Sequence, residues 1–194
     1  MKILSCDLET TGFNPSQDDW ITGSFGILDF ETLETIDEIE LTSRPANWSE
    51  DAFEIHKIRK AVAMNFPERK ETLDRLMQFI PKEPFYFLNH ARPHHKGGAF
   101  YHFDFAFLKM DFFYNHDRIE FYKYFKDDLV ISTDTMAVDL RKKGFHIPKS
   151  TSLSSLSETF SIKLDHHNAR SDRKAMEEIL RRLRELGKIG PSLI

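Results

Sequence analysis

The sequence predicts an α/β fold, on three observations. Three β-prone runs lie before Thr42, two short apolar runs (Phe85-Tyr86-Phe87-Leu88 and Leu129-Val130-Ile131-Ser132) lie far downstream, and helically spaced apolar residues fill much of the rest. A length of 194 residues suits one domain covering 1–194, and neither a fixed-period repeat nor a low-complexity linker divides it. With 40% hydrophobic and 30% charged residues, 8 Gly and 8 Pro, the composition falls outside the disordered, collagen-like and coiled-coil classes.

Taken in order, Lys2 to Leu8 reads as a short, largely apolar strand stopped by the turn signals Thr10-Thr11-Gly12 and Asn14-Pro15. Ile21 to Phe30 and Thr35 to Thr42 read as two further strands, completing an antiparallel meander. Ser49 is placed to cap a helix running to about Arg59, and Pro67 to open another that ends at Ile80 with Leu73, Leu76, Met77 and Ile80 on one face. After the strands at Phe85 and Leu129, helices are expected up to Gly144, near Leu153 to Phe160, and from about Asn168 to Leu186. Between Phe100 and Phe125, 12 of 26 residues are aromatic, and both strand-like and helix-like spacings occur. A base-stacking platform is one reading; a core is the commoner one, because aromatic rings dominate core burial.

No apolar run approaches the roughly 20 residues of a membrane-spanning helix, so no membrane partner is expected. Cys6 stands alone, without an internal disulfide partner, and the N-terminus lacks the apolar core of a secretory signal; a cytoplasmic protein is expected. The net charge of −4 gives no overall basic footprint, but charge is uneven along the chain. Asp29 to Glu54 holds nine acidic residues against Arg44 alone, and Arg170 to Lys188 holds seven Lys/Arg against four Asp/Glu. Each reads as a solvated face, the basic one also as a surface for a polyanion.

Chemistry enters at Asp7-Leu8-Glu9. Alternate strand residues share a face, so these carboxylates sit side by side at the end of an apolar strand. Adjacent anions repel, and burial is tolerated when one is protonated or a cation lies between them; an all-oxygen site suits Mg²⁺ or Mn²⁺. Asp172, Met176, Ile179 and Leu183 follow a helical stripe, which puts another carboxylate on the buried side of the last helix, while His167 lies in the entry to that helix. Taken singly, His167 reads as a loop histidine and Asp172 as a first-turn acid favouring the helix dipole.

Taken together, Asp7-Leu8-Glu9-Thr10-Thr11-Gly12, Phe103-Asp104 leading into Phe105-Ala106-Phe107-Leu108, and His167-Asn168-Ala169-Arg170-Ser171-Asp172 resemble the three motifs of the DEDDh 3′-5′ exonucleases. That DnaQ-like superfamily includes the proofreading subunit of bacterial replicative polymerases, ribonuclease T and oligoribonuclease. Glu54-Ile55-His56-Lys57-Ile58 is similar to a segment many members carry between the first two motifs. One departure stands out: family members place an Asn a few residues before the second-motif Asp, whereas here Asn89-His90-Ala91 and Phe103 are separated by the insertion Arg92 to His102. Asp111 and Asp134 are therefore rivals to Asp104. Within the insertion, Arg92, His94, His95 and Lys96 read as solvated surface or as phosphate contacts.

The resemblance implies an RNase H-like α/β fold, with a five-stranded mixed sheet of three antiparallel strands and two more parallel to the first, flanked by helices. It also implies that the aromatic segment is mainly helical. It further implies hydrolysis of single-stranded DNA or RNA from a free 3′ end to nucleoside 5′-monophosphates by two Mg²⁺ (or Mn²⁺) ions. In that scheme Asp7, Glu9 and Asp172 ligate the first ion, Asp7 bridges to the second and Asp104 completes the second site. His167 is the general base, while Thr10, Thr11 and Gly12 receive the terminal nucleotide beside His56. Many relatives are dimers, and a replication or repair role implies a partner protein. Two alternatives stay open: a catalytically weak member that binds nucleic acid or a protein partner, and a phosphodiesterase for very short oligonucleotides.

Overall fold

Strand β1 (Lys2–Thr10) is the centre of the molecule in the computed structural model, which describes residues 1–91, 94–96, 99–165 and 167–187, without the side chains of 94–96, 99–101 and 118. It pairs antiparallel with β2 (Trp20–Asp29), which pairs antiparallel with β3 (Thr35–Thr42), so the expected meander forms. On its other edge β1 runs parallel to β4 (Tyr86–Asn89), and the last strand to join is the short β7 (Val130–Ser132). The sheet order β3-β2-β1-β4-β7 is the mixed five-stranded arrangement that the resemblance implies.

Alternation along β1 divides the core into two layers. Leu4, Cys6 and Leu8 face an aromatic layer with α3 (Arg69–Phe79), α4 (Phe103–Asn115) and α5 (Arg118–Tyr124). Ile3 faces the opposite way, into a cluster with Met176 and Leu180 of α8 (Ala169–Gly187). Farther along, α8 packs Ile179 and Leu183 against α6 (Thr133–Lys142) and α7 (Leu153–Thr159).

The aromatic segment is core. Phe121 and Phe125 stack with centroids 4.4 Å apart, Phe105 lies 5.2 Å from Phe87 and 5.8 Å from Phe121, and Phe85 meets Phe125 edge-on at 5.1 Å. Apart from Phe103 and several rings at the outer surface, these residues close one face of the sheet.

Side-chain caps set several helix starts. Ser49, Asp117, Ser132 and Ser152 accept from backbone N–H groups in the first turns of α1 (Glu50–His56), α5, α6 and α7. The structure departs from the expected boundaries in three places. The first helix stops at His56, where Lys57 turns left-handed (φ 57°), and the short α2 (Lys60–Ala63) follows. The helix expected from Pro67 starts at Arg69. Part of the insertion forms a small hairpin, β5 (His94–Lys96) with β6 (Ala99–Tyr101). Arg92 and the side chains of His94, His95 and Lys96 lie outside the description, and with them the two readings of that basic cluster.

The acidic and basic stretches, each read as a solvated face, pair with one another in part. Glu38 on β3 receives Arg170, Arg173 and Lys174 of α8; Arg170 also reaches Glu40, and Arg184 reaches Glu31. Far separation in sequence hid the match: α8 crosses the meander with its basic side over the acidic residues.

Candidate active site

The site lies at the C-terminal end of β1, where parallel pairing stops. The β1–β4 register ends at Ser5 opposite Leu88, leaving the last residues of β1 without a strand partner on that edge. Asp104, in the first turn of α4, fills part of the space: its Oδ1 accepts from the Leu8 backbone N–H at 3.3 Å.

On the other face, Asp7 and Glu9 point toward α8, whose first turn carries Asp172. One carboxylate oxygen from each of Asp7, Glu9 and Asp172 lies within 4.8 Å of the others. Asp7 and Asp172 are half-buried, and Glu9 and Asp104 are buried.

This crowding shows in their acidities. Burial, then the charges of Asp104, Asp172 and Glu9, push the Asp7 carboxyl well above the usual range, with Arg173 opposing. Burial and then Asp172 and Asp104 raise Glu9 to about 7. Burial also raises Asp104 to about 7, against the hydrogen bond from Leu8. Carboxylates gathered away from water are stabilised by protonation or by a cation. The donor set is all oxygen and anionic, which fits a hard divalent ion such as Mg²⁺ or Mn²⁺.

His167 occupies the loop entering α8, exposed and left-handed (φ 60°), next to Asn168, whose side-chain oxygen accepts from the Ser171 N–H at 3.1 Å. That cap fixes the start of α8 at Ala169, two residues after the histidine and three before Asp172. Thr10 Oγ1 donates to the Gly12 carbonyl at 2.7 Å, and Thr11 is buried, its hydroxyl accepting from the Asp19 N–H at 2.9 Å. A Cβ at Gly12 would fall 2.4 Å from the Asp18 carboxylate, so a side chain there would displace Asp18. His56 is buried at the end of α1; Nδ1 accepts from Ile58 N–H at 3.0 Å, Nε2 has no hydrogen-bond partner among the described residues, and burial lowers its pKa.

The rivals to Asp104 have other partners. Asp111 is buried under Trp20 Nε1, Arg69 (3.0 Å) and Asn115 (2.8 Å), and Asp134 accepts from Thr151 at the start of α6. Sequence reasoning missed Phe13 and Arg173, and the burial of Asn89. Phe13, just after Gly12, is 71% exposed with its ring 6.3 Å from that of Phe103, the neighbour of Asp104. Asn89 is fully buried at the end of β4, and neither of its amide atoms is hydrogen-bonded among the described residues. Arg173, beside Asp172, is fully buried. Exposure is the signal for Phe13 and burial for the other two, and neither is visible in a string of residues.

No family model and no curated protein matches the sequence. Among solved structures, E. coli exonuclease I in complex with a dT13 oligonucleotide superposes with a TM-score of 0.78 at 19% identity, over 96% of this chain and 42% of that one. The zinc-bound E. coli ExoI–ssDNA complex gives 0.77 at 20% identity, over 95% and 40%. Exonuclease I from Methylocaldum szegediense gives 0.75 at 19% identity, over 95% and 40%. The chain therefore spans about two fifths of the length of the exonuclease I structures it matches. Its fold is that of the matching part of exonuclease I, in keeping with the DEDDh-superfamily resemblance of its three motifs.

Proposed function

We propose that this chain is a single exonuclease domain that hydrolyses single-stranded DNA from its 3′ end, releasing nucleoside 5′-monophosphates with the help of divalent metal ions. The observation that carries the reading is the meeting of Asp7, Glu9 and Asp172 within 4.8 Å at the open end of β1, with Asp104 beside them. Solved complexes of exonuclease I with single-stranded DNA support the choice of substrate.

In this reading Asp7, Glu9 and Asp172 would hold one ion, and Asp7 with Asp104 would hold a second. Bound there, two Mg²⁺ or Mn²⁺ ions would lower the pKa of the attacking water and offset charge on the phosphoryl and leaving oxygens. His167 takes the proton of that water, a task suited to imidazole, which ordinarily titrates near neutrality. The water oxygen bonds to phosphorus, the bond from phosphorus to the 3′ oxygen of the preceding nucleotide breaks, and that oxygen takes a proton from solvent to leave as a hydroxyl. The backbone from Thr10 to Gly12 receives the terminal nucleotide, with His56 lining the pocket and the Phe13 ring stacking on a base. Magnesium as the resident ion and a cytoplasmic setting belong to the same proposal; among the described residues no helix is long and apolar enough to cross a membrane.

End-blocked oligonucleotides test polarity. A single-stranded DNA closed by a 3′-terminal phosphorothioate linkage should resist hydrolysis while the same modification at the 5′ end has no effect on the initial rate. The reverse pattern, or internal cuts, overturns the assignment.

A further inference from the structure

Arg173 is fully buried one residue after Asp172, where the apolar stripe of α8 has no use for a cation. Its guanidinium is satisfied on three sides: Nε donates to Ser24 Oγ at 2.9 Å, Nη1 to Glu177 Oε1, and Nη2 to Glu38 Oε2. Glu177 is buried too, accepting from Ser5 Oγ and, at 3.0 Å, from Thr35 Oγ1. Gly26 makes the space, because a Cβ at that position would lie 2.2 Å from Arg173 Nη1 and 2.7 Å from Glu177 Oε1.

The elements joined by this network are those that carry the carboxylates. Ser5 lies two residues before Asp7 on the same face of β1, and Arg173 and Glu177 lie one and five residues after Asp172 on α8. The Met176 and Leu180 contacts that also seat α8 are apolar and non-directional, whereas a planar guanidinium fork between fixed acceptors specifies position. Buried ion pairs of this kind add little stability over apolar residues of similar size, so register is what the network supplies.

We infer that Arg173 is a positioning residue: through Glu177, Ser24 and Ser5 it fixes α8 against β1 and so sets Asp172 opposite Asp7 and Glu9 for a divalent cation. This rests on reading the carboxylate cluster as the metal site.

The test is Mn²⁺ binding by calorimetry on the full chain, alongside thermal unfolding without metal. Arg173→Lys keeps the charge and loses the fork; the double variant Arg173→Met/Glu177→Met keeps the net charge and replaces the pair with apolar volume. Both should bind Mn²⁺ at least about tenfold more weakly, and the double variant should unfold at or above the wild-type midpoint. Arg173→Met alone separates position from charge, since removal of a cation beside carboxylates tightens Mn²⁺ binding by simple electrostatics and weakens it if position decides. Wild-type affinity in Arg173→Lys and the double variant, or tighter binding in Arg173→Met, overturns the inference. If a variant does not fold, the remaining two decide. Failure of the wild-type chain to bind Mn²⁺ overturns the metal reading itself.

Discussion

A carboxylate oxygen of Asp7, on the central strand, lies within 4.8 Å of one from Asp172, in the first turn of the last helix, although nearly the whole chain separates them in sequence. Without a cation this contact is unfavourable, and it adds to burial and to the Asp104 charge in holding the Asp7 carboxyl well above its usual range. Function and metal-free stability are therefore opposed at these residues.

Asp7→Asn should consequently raise the metal-free unfolding midpoint at pH 8 by a few degrees while removing activity. Asp172→Ala should also remove activity with the fold retained. Losing several kcal/mol of metal-mediated charge stabilisation corresponds to roughly 10³-fold or more in rate. Calorimetric unfolding beside single-turnover hydrolysis measures both quantities.

Metal-free stability should fall as pH rises toward neutrality. Glu9 and Asp104, raised to about 7 by burial with neighbouring acids adding to Glu9, bind protons more tightly folded than unfolded. Their stabilising protonation is complete below the ordinary carboxylate range near 4 and is lost as pH climbs through about 7, at of order 3 kcal/mol for one such group. Glu38 acts in the opposite sense. Hydrogen bonds from Arg170, Lys174 and Arg173 outweigh its burial and hold it at about 2, so its contribution is present above the ordinary range and lost as pH falls toward 2. Unfolding midpoints from pH 3 to 9 should therefore decline above about pH 4 with chelator, and Mn²⁺ should restore the loss at pH 8.

The three candidates for the second motif give distinct outcomes. Asp104→Ala should abolish hydrolysis. Asp111→Ala should cost about 1–3 kcal/mol of stability by removing the buried acceptor shared by Trp20, Arg69 and Asn115 while Arg69 keeps its ion pair with Asp19 at 3.3 Å, with catalysis preserved in the folded fraction. Asp134→Ala should lose the Thr151 hydrogen bond, about 1–3 kcal/mol, and remain active. Denaturant titration and kcat on each variant make the comparison; an active Asp104→Ala with a dead Asp134→Ala would move the motif.

His167→Ala should slow the chemical step about 10²–10⁴-fold while Mn²⁺ affinity stays at the wild-type value. Single-turnover rates at saturating substrate and metal separate the two effects.

Phe13→Ala should raise KM for single-stranded DNA with little change in kcat or stability, because an exposed ring that stacks on a base contributes about 1–3 kcal/mol of binding. Steady-state kinetics on one oligonucleotide measures it.

Much of this architecture is legible in the residues. Strand β3 runs from Thr35 to Thr42 as read, and the period-2 logic that placed Asp7 and Glu9 together describes their common face. The β5–β6 hairpin gave no signal because His94-His95-Lys96 neither alternates nor carries an apolar face. Lys57 ends α1 in a left-handed conformation that nothing about a lysine announces. Arg173 was hidden for a different reason: a basic residue in a basic stretch reads as solvent-facing until Gly26, Ser24 and Glu38 are brought to it by the sheet.

The proposed metal-dependent 3′-5′ hydrolysis at Asp7, Glu9, Asp104 and Asp172 is tested by degradation of matched 5′-labelled single-stranded DNA and RNA. Each strand is incubated with Mg²⁺, Mn²⁺ or chelator, beside the Asp172→Ala variant. A ladder shortened from the 3′ end of the DNA is expected, present with metal and absent with chelator and in the variant; the RNA lanes report whether the sugar is discriminated. Intact DNA and RNA under every metal, or a ladder that survives in Asp172→Ala, would contradict it.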